Sequence, residues 1–314
     1  MLQANLGRAK KRIQSLIDQD NDSDKRLNEY YAECMVFIKA NLMTFYAKYA
    51  KDNQLSVSEV SQSASDWDTQ QWINAIKQVN MKGWPNEAID RIKAYGHIAG
   101  ISTLHTIEAL MALGIIKMTV KNQNIIADRI TKDGNDQLKI IKNIIKTNPS
   151  ADKKATSIIT QQSTRDIWSK NLWIDADSLA NDIQTLVNKH LKHGMSINDL
   201  DDILETHANK NQFKPTKYVG DRVKQMEFNA RRIVRTESSR LIDQVNTVTY
   251  SMSGITDVDL VNQPGACQKC IGLAGTYKID DAPSIPDSTH PSCRCYKIPS
   301  GDSHSRLITV NRIF

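Results

Sequence analysis

The residues best suited to chemistry lie between positions 267 and 295. Cys267-Gln268-Lys269-Cys270 sets two thiols two residues apart, and His290-Pro291-Ser292-Cys293-Arg294-Cys295 begins 20 residues after Cys270. A two-residue gap lets two thiolates reach one ion from a tight turn. His290 and Cys293 repeat that spacing, and Cys295 adds a fifth candidate ligand. Zinc in a closed structural site takes four nitrogen or sulfur ligands. The pattern therefore predicts one structural zinc, and leaves open whether four cysteines hold it or three cysteines with His290. A catalytic zinc would need three ligands and an open position for water, and no poised general base stands near the cluster. The fifth cysteine, Cys34, is isolated in a helical pattern and reads as a small buried apolar residue. An odd total of five, clustered as it is, favours metal over disulfides.

The second group of interest lies on the helix expected just before this cluster, over residues 217–248. Val219, Val223, Met226, Ala230, Val234, Leu241, Val245 and Val248 form an apolar stripe at helical spacing. Glu237 falls within it, and a buried carboxylate needs a partner. Arg240, three residues on, is the expected one, giving a structural ion pair; the alternative role is a catalytic glutamate. Lys224, Arg231 and Arg235 line up on a different face and are candidate contacts for DNA or a protein partner. Between Lys210 and Arg240 there are nine Lys or Arg and three Asp or Glu, a surplus of +6 that equals the net charge of the whole chain. Such a stretch suits phosphates or an acidic partner.

These residues need a scaffold, and the composition predicts a mainly helical one. Only 13 of 314 residues are Gly and 8 are Pro, with 6% aromatic residues. Four segments are expected: an N-terminal helical region (1–150), a helical middle (151–214), an α+β region of a long helix with short strands and loops around zinc (215–299), and a partly ordered tail (300–314). Within the first, residues 2–17 read as a helix interrupted by Asp18-Gln19-Asp20-Asn21-Asp22, and Ser23 as the start of a helix through Tyr49. Its row of Tyr30, Tyr31, Phe37, Phe45 and Tyr49 reads as packing or a docking face. Helices are also expected over 66–79, 86–95, 98–113 and 139–146, with a linker or strand at 55–60 and a strand at 117–124. The apolar run 98–116 carries His105 and Glu108, so it reads as a buried helix, with no membrane partner. Asn148-Pro149 stops the 139–146 helix, Asp175 caps a helix that ends at Gly194, and Ser196 caps the next. No secretory signal opens the chain.

Taken in order, Arg235-Thr236-Glu237-x-x-Arg240, Tyr250, Gly254, Cys267-x-x-Cys270-x-x-Leu273-x-Gly275 and His290-Pro-x-Cys293-Arg294-Cys295 resemble the Mu F-like head morphogenesis family of tailed-phage minor head proteins. The resemblance covers about residues 215–299. The segment with Trp168, Trp173 and Asp177-x-Leu-Ala is similar to the helical region of Gram-positive phage members. Two positions depart from the family pattern: Asp243 stands where many members carry Asn, and Leu260 and Val261 occupy a strand where Trp is usual. The resemblance implies a non-enzymatic minor capsid protein at the portal vertex that assists head assembly and DNA packaging or ejection. It implies assembly in the host cytoplasm and residence in the virion. The portal protein is the implied partner, with the major capsid or scaffold protein and non-specific double-stranded DNA as further candidates. The competing class is a metal-dependent nuclease or toxin enzyme. Against it, the cysteines are too numerous for an open site, and no toxin domain fits after Ser300.

Overall fold

Apolar residues at three- and four-residue steps, with few Gly or Pro to interrupt them, produce long helices. The computed structural model, 71% helical, describes residues 2–164, 168–207 and 218–301. In chain order the elements begin with α1 (Leu2–Tyr49), β1 (Gln54–Leu55), α2 (Val57–Val60), α3 (Asp66–Lys77), α4 (Asn86–Ala99) and α5 (Thr103–Lys142). There follow α6 (Pro149–Ser163), α7 (Ser169–Lys192), β2 (Met195–Ser196), α8 (Ile197–Leu204) and α9 (Val219–Met252). The chain then turns to β3 (Asp257–Val261), α10 (Gln268–Gly272), β4 (Gly275–Lys278) and β5 (Tyr296–Pro299). The fold is mainly helical with short strands around the cysteine cluster, as the composition predicts.

The chain divides into two compact units that are not sequential segments. One takes the described residues of 1–25, 125–168 and 231–314; the other takes 26–124 and 169–230. This differs from the linear division expected above, because α1, α5 and α9 each contribute to both units. The expected boundary near Pro215 lies outside the described residues, as does the tail beyond 301.

The second unit is helical apart from the short antiparallel pair β1–β2, in which Leu55 faces Met195. Its portion of α1 buries Leu27, Cys34, Ile38, Leu42 and Phe45. Burial pushes the Cys34 thiol up to about 12, so it remains a packed neutral group. The aromatic row is covered from within: Lys121 lies over Tyr30, Lys224 over Tyr31 and Lys117 over Phe37. Tyr49 packs edge-on against Trp67. These rings make internal contacts, and Phe45 is fully buried.

The first unit carries the cysteine cluster. Its three-stranded antiparallel sheet runs β4–β3–β5. Val258 and Leu260 alternate inward along β3, and β5 is buried along its length. Ala9, Ile13 and Leu16 of α1 pack with Ile242 of α9 and with Tyr296 and Ile298 of β5. A separate small core joins Leu260 and Ile285 to Cys270, Cys293 and Cys295.

Several local expectations fail, most of them where tertiary contacts satisfy what propensity would expose. The polar run Asp18–Asp22 does not break α1, because Asp20 and Ser23 are buried and hydrogen-bonded to other parts of the fold. The strand expected at 117–124 is helical and lies within α5, where Thr119, Asn122 and Gln123 are buried. Asn148-Pro149 starts α6 as well as ending the preceding turn: the Asn148 side chain accepts from Ala151 N, with Pro at the first turn. Asp175 lies inside α7, where it accepts from Asn229. Helix α5 is long and apolar enough to cross a membrane, yet 78% of its most apolar window is buried within the protein.

Gly134, in the middle of α5, marks a close approach. A Cβ there would lie 2.7 Å from Leu241 Cδ2 of α9 and 2.8 Å from Ile159 Cγ1 of α6. Gly costs a helix interior about 1 kcal/mol against Ala, so its use here reflects packing. Gly134→Leu should therefore destabilise the chain by about 1–3 kcal/mol despite its better helix propensity, as overpacking does. Urea denaturation measures this; unchanged or raised stability would show that the three helices are not so tightly apposed.

Candidate metal centre

The ligands stand on three short pieces of chain. Cys267 is the N-cap of α10 and Cys270 lies in its first turn. His290 and Cys293 occupy the turn before β5, with Ser292 in a left-handed conformation at φ 64°. Cys295 immediately precedes β5. The ligand atoms form two triplets, Cys267–Cys270–His290 and Cys270–Cys293–Cys295, within each of which all atoms lie within 4.8 Å of one another. Cys270 is common to both. The second triplet is buried, while Cys267 is exposed and His290 half-buried.

This arrangement can hold a metal ion. The sulfurs of Cys270 and Cys293 are 3.7 Å apart. That is far beyond a disulfide bond of about 2.05 Å, and close to the edge of a tetrahedron with metal–sulfur bonds of about 2.3 Å. His290 Nδ1 lies 2.8 Å from the carbonyl oxygen of Pro291. A proton on Nδ1 makes that hydrogen bond and leaves Nε2 as an acceptor, the arrangement that suits a ligating imidazole. Cys295 Sγ also lies 3.6 Å from Asn262 Oδ1, an alternative to the Cys293 sulfur as acceptor for its single thiol hydrogen. Hydrogen bonds from the Cys270 and Lys269 amides help lower the Cys267 thiol, with the Cys270 backbone contact the largest cause. A hydrogen bond from the Cys295 thiol is the main cause lowering Cys293, and the same bond raises Cys295. Burial pushes Cys270 up to about 12.

Helix α9 grips this loop through the segment that carries the motif. Thr236 Oγ1 accepts from Ser292 N at 3.0 Å, and Ser239 Oγ donates to the Cys293 carbonyl at 2.5 Å. Arg240 Nε lies 3.2 Å from Glu237 Oε2, while its Nη1 contacts both oxygens of Asp287 at 2.6 and 2.7 Å. Burial raises the Glu237 carboxyl above its ordinary range, against the lowering effect of Arg240. Asp243, the departure from Asn, pairs with buried Lys297 at 3.0 Å and accepts from Ile285 N at 3.0 Å. A carboxylate at 243 thus compensates a lysine that Asn would leave uncompensated.

Arg294 was the residue whose importance the spacing did not reveal. It is 3% exposed, and its Nε and Nη2 contact Asp20 of α1 at 2.8 and 2.5 Å. Its Nη1 donates to Ser238 and Ser239 at 2.9 and 3.0 Å. The available sequence signal was its place between two candidate ligands, together with an acidic run that never became a loop.

The three cations read as DNA or partner contacts are engaged inside the fold. Lys224 Nζ lies 2.8 Å from Asn28 Oδ1 and 2.7 Å from Glu227. Arg231 lies 3.6 Å from Asp24, and Arg235 pairs with Asp24 and approaches Asp20 at 3.8 Å. Glu227 is the carboxylate partner of Lys224. The charge surplus at these three positions is therefore largely answered by carboxylates. Lys210, Lys214 and Lys217 lie outside the described residues.

No family model matches the chain, and no curated protein or solved structure matches it significantly.

Because Cys270 belongs to both triplets, Cys270→Ser should abolish metal uptake. Cys267→Ser and Cys295→Ser, each sparing one triplet, should weaken it less. Cobalt(II) titration followed by thiolate-to-metal charge-transfer absorption measures the difference. Wild-type uptake by the Cys270→Ser protein would contradict this geometry.

Proposed function

We propose that this chain is a minor head protein of a tailed phage, associated with the portal vertex and serving head assembly and DNA packaging or ejection. The observation that carries the reading is the docking of Thr236, Ser239 and Arg240 on the loop around Cys293. The helix motif and the Cys/His motif that together resemble the Mu F-like family are parts of one site. Their order in the sequence has a physical reason, since each supplies partners for the other.

In this reading a single structural zinc is held by four of Cys267, Cys270, His290, Cys293 and Cys295. Burial of three of these cysteines and the surplus of ligands favour a closed site over one with a position for water. The ion would contribute folding free energy, on the order of 10 kcal/mol, to a loop-rich segment with a small core. The role of the surrounding residues is to orient the ligands: Thr236 and Ser239 hold the loop backbone, and Arg240 fixes its far side through Asp287. The reading is non-enzymatic, with the ion–carboxylate pair Arg240–Glu237 serving the scaffold. The protein would assemble in the host cytoplasm and remain in the virion, with the portal protein as main partner and capsid, scaffold or DNA contacts as additional ones.

Elemental analysis should find about one zinc per chain. Co-expression with the portal protein of the same genome should yield a complex that co-purifies through a range of salt, and mass spectrometry should find the protein in mature particles. Failure to co-purify, together with absence from particles, would overturn the virion assignment even if zinc is present.

A further inference from the structure

A groove of about 660 Å³ lies in the first unit between the beginning of α1 and the end of α5. Arg8, Lys11 and Arg12 line the α1 side, on one helix face at three- and four-residue spacing. Ile140, Lys142 and Ile144 line the other side. Lys142 is already paired with Asp152 at 2.8 Å, so the free charge of the groove belongs to α1.

Arg12 is the unusual member. It is 7% exposed and its two hydrogen bonds go to neutral acceptors, Nε to Gln137 Oε1 and Nη2 to the Asp133 carbonyl, each at 3.3 Å, while the Asp133 and Asp136 carboxylates favour its charge from further off. Burial outweighs those carboxylates and disfavours the charged guanidinium, so an anion entering the groove would offset the part of the cost that remains. Arg8 and Lys11, one turn away, are exposed, and neither makes an ion pair among the described residues. The first turn of α1 has no acidic residue to neutralise them.

The apolar parts of the groove decide what kind of anion fits. Ile144 is 5% exposed and Ile140 half-buried. No aromatic residue lines the groove, so an unpaired base would find no stacking partner. A DNA duplex is a broad convex surface that would meet Arg8 and Lys11 without seating phosphates on recessed Arg12. An acidic peptide satisfies both features, with carboxylates on the cations and an aliphatic side chain against Ile140. We propose that this groove binds an acidic, leucine-bearing segment of a partner protein through Arg8, Lys11 and Arg12. The proposal stands on α1 and α5 alone and does not depend on the metal centre or on the virion reading.

The test uses the full chain and fluorescence anisotropy with a labelled peptide of repeating Glu-Glu-Leu, its Gln-Gln-Leu counterpart and a short DNA duplex. The Glu peptide should bind, weaken as salt rises, and outbind the Gln peptide by about tenfold or more, equivalent to 1.4 kcal/mol. Arg8→Glu with Lys11→Glu, both exposed, should abolish that preference while leaving the melting temperature unchanged. The proposal is overturned if the two peptides bind alike, if the charge-reversed protein binds the Glu peptide as the wild type does, or if the duplex displaces the peptide at lower concentration than unlabelled peptide.

Discussion

The first unit depends on one buried ion pair, Arg294 with Asp20. Arg294 projects from between two cysteines of the cluster, and Asp20 lies in α1, with side chains 3% and 6% exposed. Neither can be left alone, because an uncompensated buried charge costs several kcal/mol. The surrounding groups complete the pairing. Arg129 of α5 also contacts Asp20 at 3.2 Å and holds Asp133 at 2.6 Å. Ser238 bridges from α9, donating to Asp133 and accepting from Arg294. Three helices and the cysteine loop therefore share one connected set of charges and hydroxyls. Buried polar networks of this kind specify a geometry more than they add stability, since each member is satisfied only when all are in place.

That constraint links the cysteine loop to α1. The loop has a small apolar core of its own, built around Leu260, Ile285 and the cysteines themselves. Polar attachments tie it to α9 and, through Arg294, to α1. Anything that fixes the positions of Cys293 and Cys295 also fixes the direction of Arg294 between them. A bound ion would thus hold the loop and, at the same time, pre-position the cation that Asp20 requires. The second small core, where Ala9, Ile13 and Leu16 meet β5, adds an apolar connection between the same two parts of the chain.

Much of this was legible in the sequence where local chemistry decides the outcome. The Cys-x-x-Cys and His-x-x-Cys spacings predict ligands that converge, and the structure brings all five candidates into one cluster. Leu260 and Val261 fall in β3, a strand as expected, and Ser196 and Gly194 mark the helix ends expected there. What was hidden depended on partners distant in sequence. Asp18–Asp22 looks like a break because its carboxylates seem to need water; Asp20 instead meets an arginine 274 residues away. Met118 and Val120 alternate like a strand, but Thr119 between them is also buried, with its hydroxyl bonded to Ile115 O. The basic count near α9 is real as a count, yet Asp24 and Glu227 answer it at the positions described. One-dimensional charge patterns do not reveal such pairing.

The account's central claim is that Asp20 and Arg294 act as one unit joining the cysteine loop to α1. A double-mutant cycle of Asp20→Asn and Arg294→Met, read by urea denaturation of the metal-loaded protein, tests it most directly. Asp20→Asn should cost about 3–5 kcal/mol, because it leaves buried Arg294 with serine hydroxyls alone, and Arg294→Met should cost less, because Asp20 keeps Arg129. The double variant should cost much less than the sum, giving a coupling energy of about 2 kcal/mol or more. Additive costs, with coupling below about 0.5 kcal/mol, would show that the two residues do not depend on each other and would contradict the account.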